Sequence, residues 1–536
     1  MCVGLLAASC IQGAARSGTS GAAAWEELRS PHFVLVSDLS DEAAGRVIAG
    51  FEETYDLLGI AVFGRSVLPT FTTNAIVFES DTELHEFVGD GFGAVYKPSL
   101  PNDPEPAPTL LASGTLSPFA RLTFAHELTH RFNHVALGPT PTWLNEGLAD
   151  YYSTIRGADS GPVTGEIDPR YMCTPDGLGD LECGQYQKLP ARQLPKPSEI
   201  MAFGRDEFYG TDPVENGTAT WEQQQKRRRN YGVAWLLVHM LMHGKQAYAE
   251  QFRRTLAEPP SGQKGERLAM GLATQVSPAE LDRDFHEYLS HRIPWRQHHA
   301  PLPQPPSSLE RRVLDETQVS LWLARIDAFD GKFASRARER LNLASQRSSS
   351  PSSQAAASFW QGRYSQLHER DSERAARHYR KALERDPGNP DYLYGLLDLY
   401  WGPQSGLSWL EATRSVHVGQ TIQALAKTAR SPRQLNAVAA YQLFAGDLPG
   451  ALRNSEQACR GGSDCWPCFH NRAAALYAAG RAAEAVSAER EALNRLPEGA
   501  AGRFSQLLAS AVAFYQAASN NPESVRGKPL PELLAP

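Results

Sequence analysis

Residues 33–37, Phe-Val-Leu-Val-Ser, form an unbroken apolar run of strand length, and the periodicity changes directly after it. From Asp41 to Leu58 the apolar positions Ala44, Val47, Ile48, Phe51, Tyr55 and Leu58 recur every three or four residues, which predicts a helix. Asn74–Phe78 and Thr109–Ser113 read as two further strands, separated by a long Gly-, Pro- and Asp-rich loop from Gly89 to Pro108. Ser117 before Pro118 supplies a cap and a first-turn proline, so a helix should run from there to about Leu137, where Gly138-Pro139 stops it. A second helix should follow from Thr142 or Trp143 to about Ile155. Residues 158–228 read as mixed loop. Tyr231–Met242 reads as a strongly apolar helix entered just after the basic run Lys226–Arg229, itself read as a solvated face.

The pattern changes character beyond the segment Pro294–Pro306, which is stiff by composition and places the end of a first domain near residue 300. Downstream the sequence is helical throughout, and it repeats. Ala375, Tyr379, Ala382 and Pro387 carry the small-aromatic-small-proline spacing of the second half of a tetratricopeptide unit, and Ala485, Glu489, Ala492 and Pro497 repeat three of the four types. Ala451, Ser455 and Ala458 lie 34 residues upstream of that last copy, with Gly446 and Gly480 each five residues before the first Ala. Units of this kind bury their faces only by stacking, so residues 356–525 should form one small right-handed solenoid. The expected organisation is a signal or lipoprotein segment at 1–20, a domain at 25–295, a Pro/Ser-rich linker with helices at 296–355, and the repeats.

A chain of 536 residues holds roughly three or four domains. Its 53 Lys and Arg against 60 Asp and Glu leave no basic surplus to neutralise a phosphate backbone, which excludes nucleic acid as an expected partner. The longest apolar run, Val233–Leu241, is too short for a membrane span and is interrupted by His239. Ala7-Ala8-Ser9-Cys10 loosely matches a lipoprotein signal, although no Lys or Arg precedes Arg16; export to the periplasm or cell envelope is expected, with Cys10 as the residue a membrane tether would use. Cys173 and Cys183 close a short loop and are the expected disulfide of an oxidising compartment. The pairing of Cys459, Cys465 and Cys468 stays open. Cys465-Trp-Pro-Cys468 as a zinc knuckle or redox motif lacks a second CxxC and a βαβ context.

His126-Glu127-Leu128-Thr129-His130 lies inside the helix expected to end at Leu137, and a spacing of four puts both imidazoles on one face, a turn apart, where they can hold one zinc ion. Glu127, rotated about 100° from His126, can aim its carboxylate at a water on the ion and act as general base. Phe119, Leu122, Phe124, Ala125, Leu128 and Phe132 make the helix largely buried, and buried paired histidines need partners. Glu146, opening the next helix in Trp143-Leu-Asn-Glu-Gly-Leu-Ala-Asp150, supplies one. Two His and one Glu leave a fourth position open, as in a catalytic rather than a structural zinc site. Asp150, one turn later, can accept the remaining ring N–H of a histidine, His126 first, and Asn145 reads as a helix cap.

These motifs resemble the gluzincin metallopeptidases, and more closely the peptidase MA-like bacterial proteins with a Pro-x-Trp-Leu-x-Glu-Gly-Leu-Ala-Asp helix, here Pro141 to Asp150. The resemblance covers roughly residues 25–295 and implies an α+β zincin-like peptidase domain. It implies Zn2+ held by His126, His130 and Glu146, with Glu127 as base and Asp150 behind the ligands. Related enzymes supply an oxyanion-stabilising Tyr or His from a later helix; Tyr231 is the candidate and His239 the alternate, the bland reading being that both, with Trp235, are core residues. The chain departs from the group in a short interval between His130 and Glu146, and in lacking a Gly-x-Met-Glu-Asn motif, so endopeptidase action is expected over aminopeptidase action. The resulting expectation is a zinc metallopeptidase cleaving a polypeptide substrate, coupled to repeats that bind a protein partner. Two rivals stand beside it: a repeat scaffold with an inactive peptidase-like domain, against which intact Glu127 counts, and a hydrolase of non-peptide amides or esters.

Overall fold

The structure is a computed structural model that describes residues 24–63, 72–88, 94–97, 108–114, 118–138, 140–166, 194–210, 221–258, 264–289, 295–300, 309–328, 333–401, 411, 414–461, 465–496, 498–526 and 531. The N-terminal segment with Cys10, Ser117, Cys173, Cys183 and Pro497 lie outside the described residues. The chain opens with β1 (Glu26–Arg29), β2 (Phe33–Ser37), α1 (Asp41–Phe63), β3 (Thr73–Phe78), α2 (Asp81–Val88), β4 (Ala94–Lys97) and β5 (Thr109–Ser113). These strands make a mixed sheet in the order β4-β5-β3-β2-β1, with parallel pairs at its centre, β2/β3 and β3/β5, and antiparallel pairs β4/β5 and β1/β2 outside them. Phe33, Leu35, Ala75, Val77, Leu110 and Ala112 pack into the larger core beside α1, whereas Val36, Ile76, Phe78 and Leu111 point to the opposite face. Cover on both faces is why the central strands read as continuous apolar runs rather than as alternation.

The front part continues with α3 (Pro118–Leu137), α4 (Thr142–Ser153), β6 (Arg156–Ala158), β7 (Gly161–Thr164), α5 (Pro197–Ala202), α6 (Arg205–Tyr209), α7 (Trp221–His243), α8 (Gln246–Ala257), α9 (Lys264–Gln275), α10 (Pro278–Leu289) and β8 (Arg296–Gln297). β6, β7 and β8 form a small second sheet. The sixth strand of the main sheet comes from further on: β9 (Glu310–Val313) pairs antiparallel with β1. Behind it α11 (Glu316–Asp327) lays Val319, Leu323 and Ile326 over Val36, Ile76, Phe78 and Leu111, alongside Leu84 and Phe87 of α2. Residues assigned by sequence to a linker with helices therefore complete the front sheet, and its core reaches past the expected boundary at 295. The strand escapes pattern reading because Glu310-Arg-Arg-Val313 is exposed throughout, with Arg311 and Arg312 paired to Glu26 and Glu27 of β1.

From α11 the helices pack in consecutive pairs: α11 with α12 (Ala334–Arg347), α13 (Pro351–Tyr364) with α14 (Ser372–Arg385), and α15 (Pro390–Trp401) with α16 (Val416–Leu425). α17 (Pro432–Phe444) then pairs with α18 (Leu448–Gly461), and α19 (Trp466–Ala478) with α20 (Ala482–Asn494), before α21 (Glu498–Asn520). Pairing thus begins at Glu316, ahead of the expected start at 356. Ala375, Tyr379 and Ala382, Ala451, Ser455 and Ala458, and Ala485, Glu489 and Ala492 all fall on the second helix of a pair, and all are fully buried. Glu489 is tolerated there because His470 Nδ1 lies 2.7 Å from its carboxylate. Gly446 and Gly480 sit in the turns inside two pairs with φ of 82° and 77°, a left-handed conformation in which glycine carries no side-chain penalty. Cys465 and Cys468 are joined in a disulfide at the start of α19, and Cys459 is a buried free thiol. Among the described residues no helix is long and apolar enough to cross a membrane.

Candidate metal centre

One stripe of α3, Ala120, Phe124, Leu128, Phe132 and Ala136, enters the core. The Phe124 ring lies 4.2 Å from that of Phe51 on α1 and 5.7 Å from that of Phe33 on β2, and the Phe132 ring 5.2 Å from that of Tyr55. Anchoring that stripe turns His126 and His130 toward α4. α4 is buried along nearly its whole length and packs on α7 at Gly147, where an added Cβ would meet the Ala234 carbonyl oxygen at 2.5 Å and Val238 Cγ2 at 2.7 Å. Only glycine permits that approach, which brings α7 against the helix carrying Glu146 and Asp150.

His126 Nε2 and His130 Nε2 are 3.2 Å apart, and Glu146 Oε2 lies 3.3 Å from the first and 3.5 Å from the second. Donors bonded to zinc at about 2.0–2.1 Å with tetrahedral angles would sit about 3.3 Å from one another, so the three atoms already occupy three corners of such a site. Glu146 is 4% exposed, and its Oε2 takes no hydrogen bond although two ring nitrogens face it. A buried carboxylate oxygen left in that state is costly unless a cation completes it. Among the described residues this is the one group of three or more His, Cys, Asp or Glu close enough to share an ion. The donor set, two imidazoles and one carboxylate, suits Zn2+ and leaves one corner open.

Asp150, fully buried, accepts from His126 Nδ1 at 2.7 Å, which leaves Nε2 of the neutral ring as the lone pair facing the shared point. Burial alone would lower the basicity of His126, but the carboxylates of Asp150, Glu146 and Glu127 outweigh it and raise its pKa to about 10. His130 is raised in the same way, burial being overcome chiefly by Glu146. Burial pushes Glu146 up, and the two imidazoles pull its carboxyl well below the usual range despite that. The pocket therefore favours positive charge, whether protons or a metal ion.

Tyr231, at the middle of α7, reaches the site: its ring lies 6.3 Å from that of His126. Its hydroxyl is held far above the usual phenol range, by burial first and then by Glu146, Tyr209, Asp150 and Glu127, so it stays protonated and can only donate to an anion. His239 does not share the site. Two turns further along α7, its ring nitrogens are taken up by the Tyr288 hydroxyl at 2.7 Å and the Gly165 carbonyl at 2.8 Å, and it stacks on His243. Periodicity put both on one face, but eight residues separate them by about 12 Å along the axis. Asn145 makes no cap hydrogen bond; its Oδ1 accepts from Asn133 of α3 at 3.2 Å and ties the two site helices together.

Sequence reasoning missed Tyr209, whose hydroxyl donates to Glu146 Oε1 at 2.5 Å. It lies in α6, inside the stretch read as mixed loop. The local signal was a capped turn: Glu207 accepts from the Gly204 N–H at 3.0 Å, and Gly210 ends the turn with φ of 64°. The basic run before Tyr231 is part of α7 rather than a preface to it, and one member has a partner: Arg227 Nε donates to the Tyr209 carbonyl at 3.2 Å. No protein-family model matches the chain, and no curated protein matches it.

Proposed function

We propose that the front part is a zinc-dependent metallopeptidase of the gluzincin kind, an endopeptidase acting on a polypeptide. The observation that carries this reading is the placement of His126 Nε2, His130 Nε2 and Glu146 Oε2 at 3.2–3.5 Å from one another with the carboxylate oxygen left without a donor. A zinc ion there would supply Lewis acidity, lowering the pKa of a water it holds toward about 7 and polarising a carbonyl. Glu127, partly exposed beside the two histidines, takes the proton from the attacking water at its carboxylate and passes it to the departing amine. Tyr231 keeps its proton and donates a hydrogen bond from its hydroxyl to the oxygen of the carbonyl under attack, where negative charge collects. Asp150 fixes the ring of His126 through Nδ1.

The helical pairs are read as tetratricopeptide units that offer a surface to a protein partner; buried Ala, Tyr and Ser at phased positions support this, as do the left-handed glycines. Export to the cell envelope, with Cys10 as lipid-bearing residue, rests on the N-terminal sequence alone. Protein purified without chelator should carry about one zinc per chain, and His130→Ala should lose it, because two remaining donors hold the ion far more weakly than three. Metal analysis decides the point: a chain that carries no zinc and takes none up refutes the reading. Tyr231→Phe should lower kcat by roughly 10- to 1000-fold with little change in KM in a peptide-cleavage assay, since its donor acts mainly in the transition state.

A further inference from the structure

Glu146 has two carboxylate oxygens in unlike settings. Oε2 faces His126 and His130 and takes no hydrogen bond, whereas Oε1 accepts from the Tyr209 hydroxyl at 2.5 Å. A carboxylate can offer a metal one oxygen or both, and the choice decides how many positions remain for water and substrate. With Oε1 engaged by a donor, one oxygen is left for the ion.

Tyr209 is itself held from several sides. Phe208 beside it is fully buried, and its carbonyl accepts from Asn230 Nδ2 at 2.7 Å. The Tyr209 carbonyl accepts from Arg227 Nε at 3.2 Å, and the guanidinium of Arg205 lies 5.7 Å from the centre of its ring. Asn230 and Arg227 belong to α7, the same helix that presents Tyr231, whose ring is 6.2 Å from that of Tyr209. The hydroxyl is thus supported by the element that also packs on α4 at Gly147, so its position relative to Glu146 is fixed through α7.

We infer that Tyr209 is a positioning residue that holds the Glu146 carboxylate so that Oε2 alone meets the metal, keeping the site three-coordinate from protein and open at the fourth corner. This rests on the zinc reading above. Its test uses full-length protein loaded with Co2+, whose visible bands are strong in four-coordinate sites and weaken when a fifth donor joins. Tyr209→Phe removes the hydroxyl and keeps the ring, so Oε1 is released to turn toward the ion. The expected result is weaker Co2+ bands together with a 10- to 100-fold loss of Zn2+ affinity in chelator competition, the usual effect of removing the group behind a ligand. Tyr209→Phe protein should keep the near-ultraviolet circular dichroism of wild type and unfold in urea with the same steepness, because the ring and its packing are retained. An unchanged spectrum and affinity overturn the inference, as does a loss of affinity that comes with loss of the native circular dichroism, which is what a packing or folding defect would give. Wild-type protein that binds neither metal overturns the zinc reading together with this one; wild-type protein that binds both, with Tyr209→Phe indistinguishable from it, overturns only the role of Tyr209.

Discussion

Glu127→Gln protein should keep its fold and its zinc while losing at least about 10²- to 10⁴-fold in turnover, the range that positioned acid–base catalysis contributes. Retention of metal is expected because the three donor atoms belong to His126, His130 and Glu146, and the amide has nearly the shape of the carboxylate it replaces. Loss of turnover is expected because an amide cannot take a proton from water at neutral pH. Glu127 is also one of the carboxylates that raise His126 and His130, so removing its charge should ease proton release from both rings while withdrawing one charge that attracts the ion, and the three donors remain to hold the metal. The measurement is peptide cleavage with parallel metal analysis. Cleavage at the wild-type rate by zinc-loaded Glu127→Gln protein would remove the peptidase mechanism, whereas loss of zinc with activity would show that Glu127 is needed to build the site.

How much of this was legible in sequence depended on whether the information was local. His126 and His130 are one turn apart on a helix whose buried stripe is itself periodic, so spacing alone set their geometry. Glu146 and Asp150 repeat the logic on α4, and the contact between the helices follows from a short connection and two apolar surfaces. Tyr209 gave no such signal: it lies 63 residues from Glu146 in a five-residue helix, and one hydrogen bond between distant segments leaves no period. His239 shows the converse failure, since sharing a helical face with Tyr231 says nothing about which neighbour each meets two turns apart. β4 was hidden for a third reason. Its four residues sit within a Gly-, Pro- and Asp-rich stretch and gain their extended form from pairing with β5, a tertiary contact.

A chain ending at residue 300 should fail to fold, whereas one ending at residue 349 should fold and bind zinc. The first cut removes β9 and α11 and strips Leu314, Val319, Leu323 and Ile326 from the face formed by Val36, Ile76, Phe78, Leu84, Phe87 and Leu111. At about 1.5–3 kcal/mol for each fully buried apolar side chain, exposing even half of those six costs about 5–9 kcal/mol. Net stabilities of whole domains are about 5–15 kcal/mol, so this loss alone is of the size that unfolds one. Two further effects act in the same direction. Glu26 and Glu27, nearly buried on β1, lose Arg311 and Arg312, and the hydrogen-bonding edge of β1 is bared to other chains. The second cut parts α12 from α13 along a seam in which Ala324, Ala337 and Ala344 meet Ala357, with Leu321, Leu341, Tyr364 and the partly buried Trp360 the larger members, so fewer large buried side chains are uncovered than on the sheet face. Circular dichroism, urea unfolding and zinc content of the two truncated chains decide between one folding unit that ends near 300 and one that needs the following helices. Cooperative unfolding with a full zinc complement in the shorter chain would show that β9 and α11 are dispensable cover, and would return the boundary to the proline-rich segment.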